Sequence, residues 1–176
     1  MTLPQSRADF ARTVVYFPGS TIGNFHPPDA ARFLQRLGAM AGDDGAILIG
    51  VDLDKDSETL ERAYADSEGV TAAFNLNLLA RFNRELGADF DLTSFRHDAR
   101  YVRDLGRIEM HLVSERDQVV RIGARRYCFA AGESIRTEES YKYAPDAFAS
   151  LARSAGLDVV AVWLDPDARF SVQWLA

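Results

Sequence analysis

The sequence predicts an α/β protein in which a parallel strand–helix–strand unit is interrupted by a second, smaller block of helices and antiparallel strands. Three observations point to this class. Val14–Phe17 (VVYF) and residues 46–53 (AILIGVDL) are short apolar runs without alternation, which suits strands covered on both faces. Between them, residues 30 to about 40 place Phe33, Leu34 and Leu37 at helical spacing, so the two strands form a parallel pair through a right-handed crossover. From residue 95 to residue 143 the period changes to two, the mark of hairpins.

The first strand stops at Pro18 and Gly19 and gives way to a small polar loop, GSTIGN, before Pro27, Pro28 and Asp29 open the helix. Ligands in open α/β sheets sit beyond the carboxyl ends of strands, so Gly19 to Asn24 is the first candidate site. The competing reading is that these residues only cap the following helix. Residues 42–45 read as a tight turn into the second strand. Asp52, Asp54, Lys55 and Asp56 follow that strand without a recognisable ligand spacing, and read as a solvated strand end and helix cap rather than a metal site.

Ser57–Tyr64 continues as a helix with Leu60 and Tyr64 on one face. Val70–Leu86 is amphipathic: Phe74, Leu78, Leu79, Phe82 and Leu86 are expected inward, Asn75 and Asn83 on the surface, and Gly87 as the stop. A meander of hairpins follows, turning at residues 104–106, 115–117 and near Gly123. His97 and His111 fall in different hairpins without ligand spacing and are expected at the strand surface. Residues 132–143 (GESIRTEESYKY) read as a polar strand, residues 146–155 as a helix, and residues 157–164 and Phe170–Leu175 as two strands joined by a turn. Residues 1–11 are polar and unpatterned.

At 176 residues, with 47% hydrophobic and 26% charged, the chain can bury one medium or two small cores. A net charge of −6 and a pI near 5.1 argue against a nucleic-acid groove. No apolar stretch approaches the roughly 20 residues of a membrane helix. Cys128 is the sole cysteine, which rules out an internal disulfide, and the N-terminus lacks the features of a signal peptide, so the expected compartment is the cytoplasm.

Two long strings carry more than composition does. FPGSTIGNF at residues 17–25 and VTAAFNLNLLARFNRELGADFD at residues 70–91 resemble the C-terminal part of the histidine Nα-methyltransferase family of ergothioneine biosynthesis, which uses S-adenosylmethionine. The resemblance runs from about Val14 to the end of the chain. It implies the C-terminal part of a Rossmann-like class I methyltransferase sheet over residues 1–55, an inserted α+β substrate-binding domain over 56–143, and a return to the core over 144–176. It also implies S-adenosylmethionine as cofactor, no metal, and histidine or a related amino acid as substrate. No GxG-type turn or ribose-binding acid follows a predicted strand, so relative to the family the chain begins partway through. Cofactor-binding residues are expected mainly outside it, the chain alone is expected to be inactive, and edges exposed by truncation are expected to support a homodimer. The alternative is a non-catalytic binding or scaffold module. A hydrolase fits poorly, because Ser20 lacks the GxSxG elbow.

By match to the family, Asn24 and Tyr64 are the candidate catalytic residues, and Gly19, Asn24, Tyr64, Met110, Glu138 and Ser140 the candidate substrate contacts. Displacement of a methyl group from a sulfonium needs positioning rather than a covalent nucleophile or metal. An asparagine carbonyl orients an amine without adding charge, while Gly19 allows close backbone approach. The resemblance places Tyr64 near the substrate carboxylate, Glu138 and Ser140 on the imidazole, and Met110 in the pocket wall. Glu139 points to the other face of an extended strand and ranks below Glu138.

Overall fold

The computed structural model describes residues 12–176, so the segment at 1–11 lies outside the described residues. In chain order the elements are β1 (Val14–Phe17), α1 (Pro27–Ala41), β2 (Ala46–Asp52), α2 (Ser57–Tyr64), α3 (Val70–Leu86), β3 (Phe95–Val102), β4 (Arg107–Ser114), β5 (Gln118–Ile122), β6 (Arg125–Phe129), β7 (Ser134–Tyr141), α4 (Pro145–Ser154), β8 (Val159–Leu164) and β9 (Phe170–Leu175), with short 3-10 turns at Thr21–Asn24, Leu92–Ser94 and Arg103–Leu105. They form two compact units, one ending at Lys55 and resuming over Ser140–Ala176, the other covering Asp56–Glu139.

The first unit is built on a four-stranded sheet in the order β1-β2-β9-β8. Val15 lies opposite Ile47 and Phe17 opposite Ile49 in a parallel pair, as the helix between them requires. β9 runs antiparallel to β2, with Leu175 opposite Ile47, and β8 pairs with its far side. The C-terminal hairpin thus places its second strand in the middle of the sheet. Leu34 and Leu37 of α1 and Phe148 and Ala152 of α4 pack with Ile47, Ile49, Val51 and Leu175 in one core.

The expectation that β1 is covered on both faces does not hold. Among the described residues it pairs only with β2, and Val14 and Tyr16 are 43% and 68% exposed. Only Val15 and Phe17 pack against the core, so an unalternating apolar run here marks a strand with a single buried face. Gly50 has a different role: a Cβ there would lie 1.9 Å from the Pro18 carbonyl oxygen, so only glycine lets the loop after β1 lie directly on β2.

In the second unit β3 and β4 pair antiparallel along their whole length, from Phe95 opposite Ser114 to Val102 opposite Arg107. The strands do not continue as a simple meander. β5 and β6 close on each other as a separate ribbon, and β7 returns to pair with β4, giving the order β3-β4-β7. Leu79, Phe90, Phe95, Leu112 and Val120 form the core, with the Phe95 and Phe129 rings edge to face at 5.5 Å.

The inward face of α3 also differs from expectation. Asn75 and Leu79 are its buried residues, whereas Phe74 is 68% and Leu86 54% exposed. Asn83 is not a surface residue by function: its side chain accepts from the Phe90 backbone N–H and donates to the Phe90 carbonyl, both at 2.8 Å. That pair of bonds ties down the chain after Gly87, which ends the helix in the left-handed conformation.

Candidate functional site

In the first unit the loop after β1 is fixed by hydrogen bonds and close packing. Ser20 sits at φ 54 and its Oγ accepts from the Asp52 N–H at 2.8 Å. The 3-10 turn that follows buries Ile22 and Gly23 and leaves Asn24 exposed at its end. A Cβ on Gly23 would lie 2.7 Å from the Tyr141 carbonyl oxygen and 3.1 Å from Ser140 Oγ. The missing side chain is therefore what brings the turn carrying Asn24 against Ser140.

The expected solvated strand end after β2 is instead an ion-paired cluster. Asp52 accepts from Lys55 Nζ at 2.6 Å through Oδ1 and from Lys142 Nζ at 2.7 Å through Oδ2. The Lys142 side chain is 1% exposed, and its ammonium also donates to Ser140 Oγ at 3.0 Å. Residues 52 and 142 come together because the chain after β7 returns beside the end of β2, where Leu53 bridges Tyr143. Nearby, His26 Nδ1 is 3.0 Å from the Tyr141 hydroxyl.

In the second unit Asp56 caps α2 by accepting from the Thr59 N–H at 2.8 Å. Tyr64 ends that helix half-buried, and its carbonyl oxygen lies 2.8 Å from His97 Nε2. His97 Nδ1 lies 2.9 Å from the Asn75 amide nitrogen, which also donates to the His111 carbonyl at 3.2 Å. An amide N–H₂ only donates, so His97 accepts at Nδ1 and carries its proton on Nε2, facing the Tyr64 carbonyl. Asn75 is thus an interior anchor rather than the surface residue its helix position suggested.

Met110 and Glu138 meet in one cavity of about 210 Å3 whose walls also include Phe74, Asn75, Leu78 and Arg81. The outward Phe74 finds its place here. Glu139, by contrast, lies in an ion cluster, 2.6 Å from Arg107 and 3.6 Å from Arg136. In the same cluster Arg107 Nε donates to Glu109 at 2.9 Å, and His111 Nε2 lies 2.9 Å from the other Glu109 oxygen. Burial pushes the Glu109 carboxyl up, but the hydrogen bonds from His111 and Arg107 outweigh it and hold the group below the usual carboxylate range. His111 is 8% exposed, so the expectation of a strand-surface histidine is corrected: the cluster buries it.

Among the described residues no group of three or more His, Cys, Asp and Glu side chains is placed to hold a metal ion. The acid at the end of β2 has both oxygens taken by lysines, and the β1 loop lies directly on β2 at Gly50.

By fold the chain is an α/β protein whose parallel β1–α1–β2 unit and C-terminal hairpin are separated in sequence by an α+β unit. The family model described as histidine-specific, S-adenosylmethionine-dependent methyltransferase matches residues 2–176, and the chain belongs to that family. It is 45% identical over 163 residues to the histidine N-alpha-methyltransferase of Mycolicibacterium smegmatis, covering 92% of this chain and 51% of that protein. To the histidine N-alpha-methyltransferase of Mycobacterium tuberculosis it is 43% identical over 167 residues, covering 94% of this chain and 52% of that protein. The chain therefore spans about half the length of these relatives. Among solved structures it is similar to the CcbJ methyltransferase from Streptomyces caelestis, with a TM-score of 0.49 and 10% identity over 93% of this chain and 59% of that one.

Proposed function

We propose that the protein containing this chain transfers methyl groups from S-adenosylmethionine to the α-amine of histidine, and that this chain supplies side chains that hold the amino acid. The observation that carries the reading is the family match over residues 2–176, supported by 45% identity to a histidine N-alpha-methyltransferase. S-adenosylmethionine, when bound, supplies the activated methyl group. The work of this chain is orientation, which accounts for a large share of the barrier in a displacement between two bound molecules.

Asn24, exposed at the end of its turn, offers a carbonyl oxygen that accepts from the amine and leaves the nitrogen lone pair directed at the incoming carbon. Gly19, also exposed, allows the backbone to approach closely. Tyr64 directs its phenol to the substrate carboxylate while its backbone is held by His97. Glu138 accepts the imidazole N–H inside the cavity it shares with Met110, and Ser140 meets the other ring nitrogen. The compartment we propose is the cytoplasm, where an exposed thiol such as Cys128 stays reduced.

The test is to incubate the full-length protein with S-adenosylmethionine and either L-histidine or L-leucine and follow the amino acids by mass spectrometry. Methylated histidine with leucine unchanged is the expected result. Equal transfer to both, or none to histidine, would refute the reading.

A further inference from the structure

We propose that His97 is a positioning residue for recognition of the amino-acid carboxylate: its ring, locked by Asn75, holds the end of α2 and with it the Tyr64 phenol. This rests on the reading of Tyr64 as the carboxylate contact, and adds the residues that set where the phenol stands.

The orientation and the tautomer of His97 follow from two backbone carbonyls. Asn75 on α3 is 3% exposed, and its amide group lies 3.2 Å from the His111 carbonyl oxygen. A carbonyl only accepts, so the nitrogen of that amide, not its oxygen, faces it. The same nitrogen is 2.9 Å from His97 Nδ1, which must therefore present a lone pair. A neutral ring with a bare Nδ1 carries its one hydrogen on Nε2, and Nε2 stands 2.8 Å from the Tyr64 carbonyl oxygen. Every donor in the series meets an acceptor. Turning the ring over, or moving its proton to Nδ1, breaks both bonds at once.

The lock acts at a helix end. α2 has eight residues, too few to be held by propensity alone, and the last carbonyls of a helix have no partner within it. Directly after Tyr64 the chain leaves helical geometry at Ala65, with φ −130 and ψ 59. β3 ties α2 at two points on one face: the Tyr101 N–H donates to the Glu61 carboxylate at 3.0 Å, and His97 donates to Tyr64, one turn further on. A shift of the Tyr64 carbonyl moves its Cα, and the phenol at the far end of the side chain swings through a larger arc. Asn75 also lines the cavity shared by Met110 and Glu138. One hydrogen-bonded series thus spaces the wall of the imidazole cavity from the residue that meets the carboxylate.

The experiment is calorimetric titration of the full-length protein, in the presence of S-adenosylhomocysteine, with L-histidine and with histamine, which keeps the imidazole and the amine but lacks the carboxylate. Wild type should bind histidine the more tightly. His97→Asn leaves an acceptor near the place of Nδ1 and removes the donor to Tyr64, so it should lower histidine affinity about tenfold and leave histamine affinity unchanged. His97→Gln, whose amide nitrogen reaches the place of Nε2, should recover most of that loss. In a Tyr64→Phe background His97→Asn should add no further loss. Equal losses for both ligands, or an undiminished effect of His97→Asn in Tyr64→Phe, would overturn the role of His97 and leave the proposed function standing. Absence of histidine binding by the wild type would overturn both. A second measurement needs no variant: in ring-15N spectra of the wild type, His97 should show a protonated Nε2 and a bare Nδ1. A proton on Nδ1 would overturn the inference.

Discussion

Replacing Gly23 by alanine should both destabilise the first unit and weaken histidine binding. The added methyl would stand 2.7 Å from the Tyr141 carbonyl oxygen, 3.1 Å from Ser140 Oγ and 3.4 Å from the Tyr141 nitrogen. Carbon normally meets a carbonyl oxygen at no less than about 3.3 Å, so the turn must retreat by roughly half an ångström. The nearest obstacle is backbone at the end of β7 and cannot rotate out of the way. Overpacking of this kind costs about 1–3 kcal/mol, which in a chain of this size lowers the melting temperature by roughly 2–10 °C. Gly23 is not among the glycines at positive φ, so the penalty is steric rather than conformational. Gly42→Ala is the control: at φ 82 and ψ 176 with nothing within 4 Å of its Cβ, it pays only for a backbone conformation that glycine alone adopts readily, about 1–3 kcal/mol, and does so at the opposite end of α1. Thermal unfolding and histidine titration of the two variants separate the effects. Both should melt earlier, but only Gly23→Ala should lose affinity. Wild-type melting and affinity in Gly23→Ala would refute the packing argument, and equal affinity loss in both variants would refute its link to the site.

Further expectations follow from the same geometry. Glu138→Ala should weaken histidine binding about tenfold to a hundredfold while leaving the weak binding of leucine unchanged, because an unmatched buried polar group costs on the order of 1–3 kcal/mol; an unaltered preference would remove Glu138 from the site. Burial, with a smaller contribution from Tyr141, pushes the Tyr143 phenol up to about 12. The unfolded phenol ionises near pH 10, so this group's contribution to stability is complete below that and is lost as pH rises towards 12, a decline of about 2–3 kcal/mol in all. Tyr143→Phe, which removes a buried hydroxyl with no hydrogen-bond partner among the described residues and keeps the ring against Phe148, should abolish that alkaline loss at no cost near neutrality; denaturant titrations from pH 9 upward with the same slope in both proteins would contradict this. Because among the described residues β1 pairs on one side only and exposes Val14 and Tyr16, this chain in isolation should self-associate, and a monomer mass independent of concentration in sedimentation equilibrium would count against it.

Local features of the fold were legible because each is written in contiguous residues. The helix opened by the Pro27–Asp29 segment, which starts three residues before the expected residue 30, the Gly87 stop of α3 and the strand character of β3 and β4 appear in the structure, whereas the expected alternation does not, since β4 is buried at every position. What could not be read depends on pairing across long separations. Nothing local shows that β9 lies between β2 and β8, or that β4 pairs with β7 rather than with the strand that follows it in sequence. Phe74 and Leu78 scored as core because helical spacing does not distinguish a core from a cavity wall, and they line the cavity beside Met110 while Asn75 turns inward to His97. The same limit hid Lys142. A lysine in a polar strand reads as a solvated charge until its carboxylate, 90 residues earlier, is found beside it. Family resemblance marked Asn24, Glu138 and Ser140 as candidates, but the supporting Asp52–Lys142 and Asn75–His97 contacts were visible only once the strands were paired.

The most direct test of the central claim, that this chain's side chains hold histidine, is calorimetric titration of the full-length protein with L-histidine in the presence of S-adenosylhomocysteine, wild type against Asn24→Ala. The account predicts saturable binding in the wild type and its loss in Asn24→Ala at an unchanged melting temperature, since Asn24 is exposed and outside the core. Indistinguishable binding curves for the two proteins, or no heat from the wild type, would contradict it.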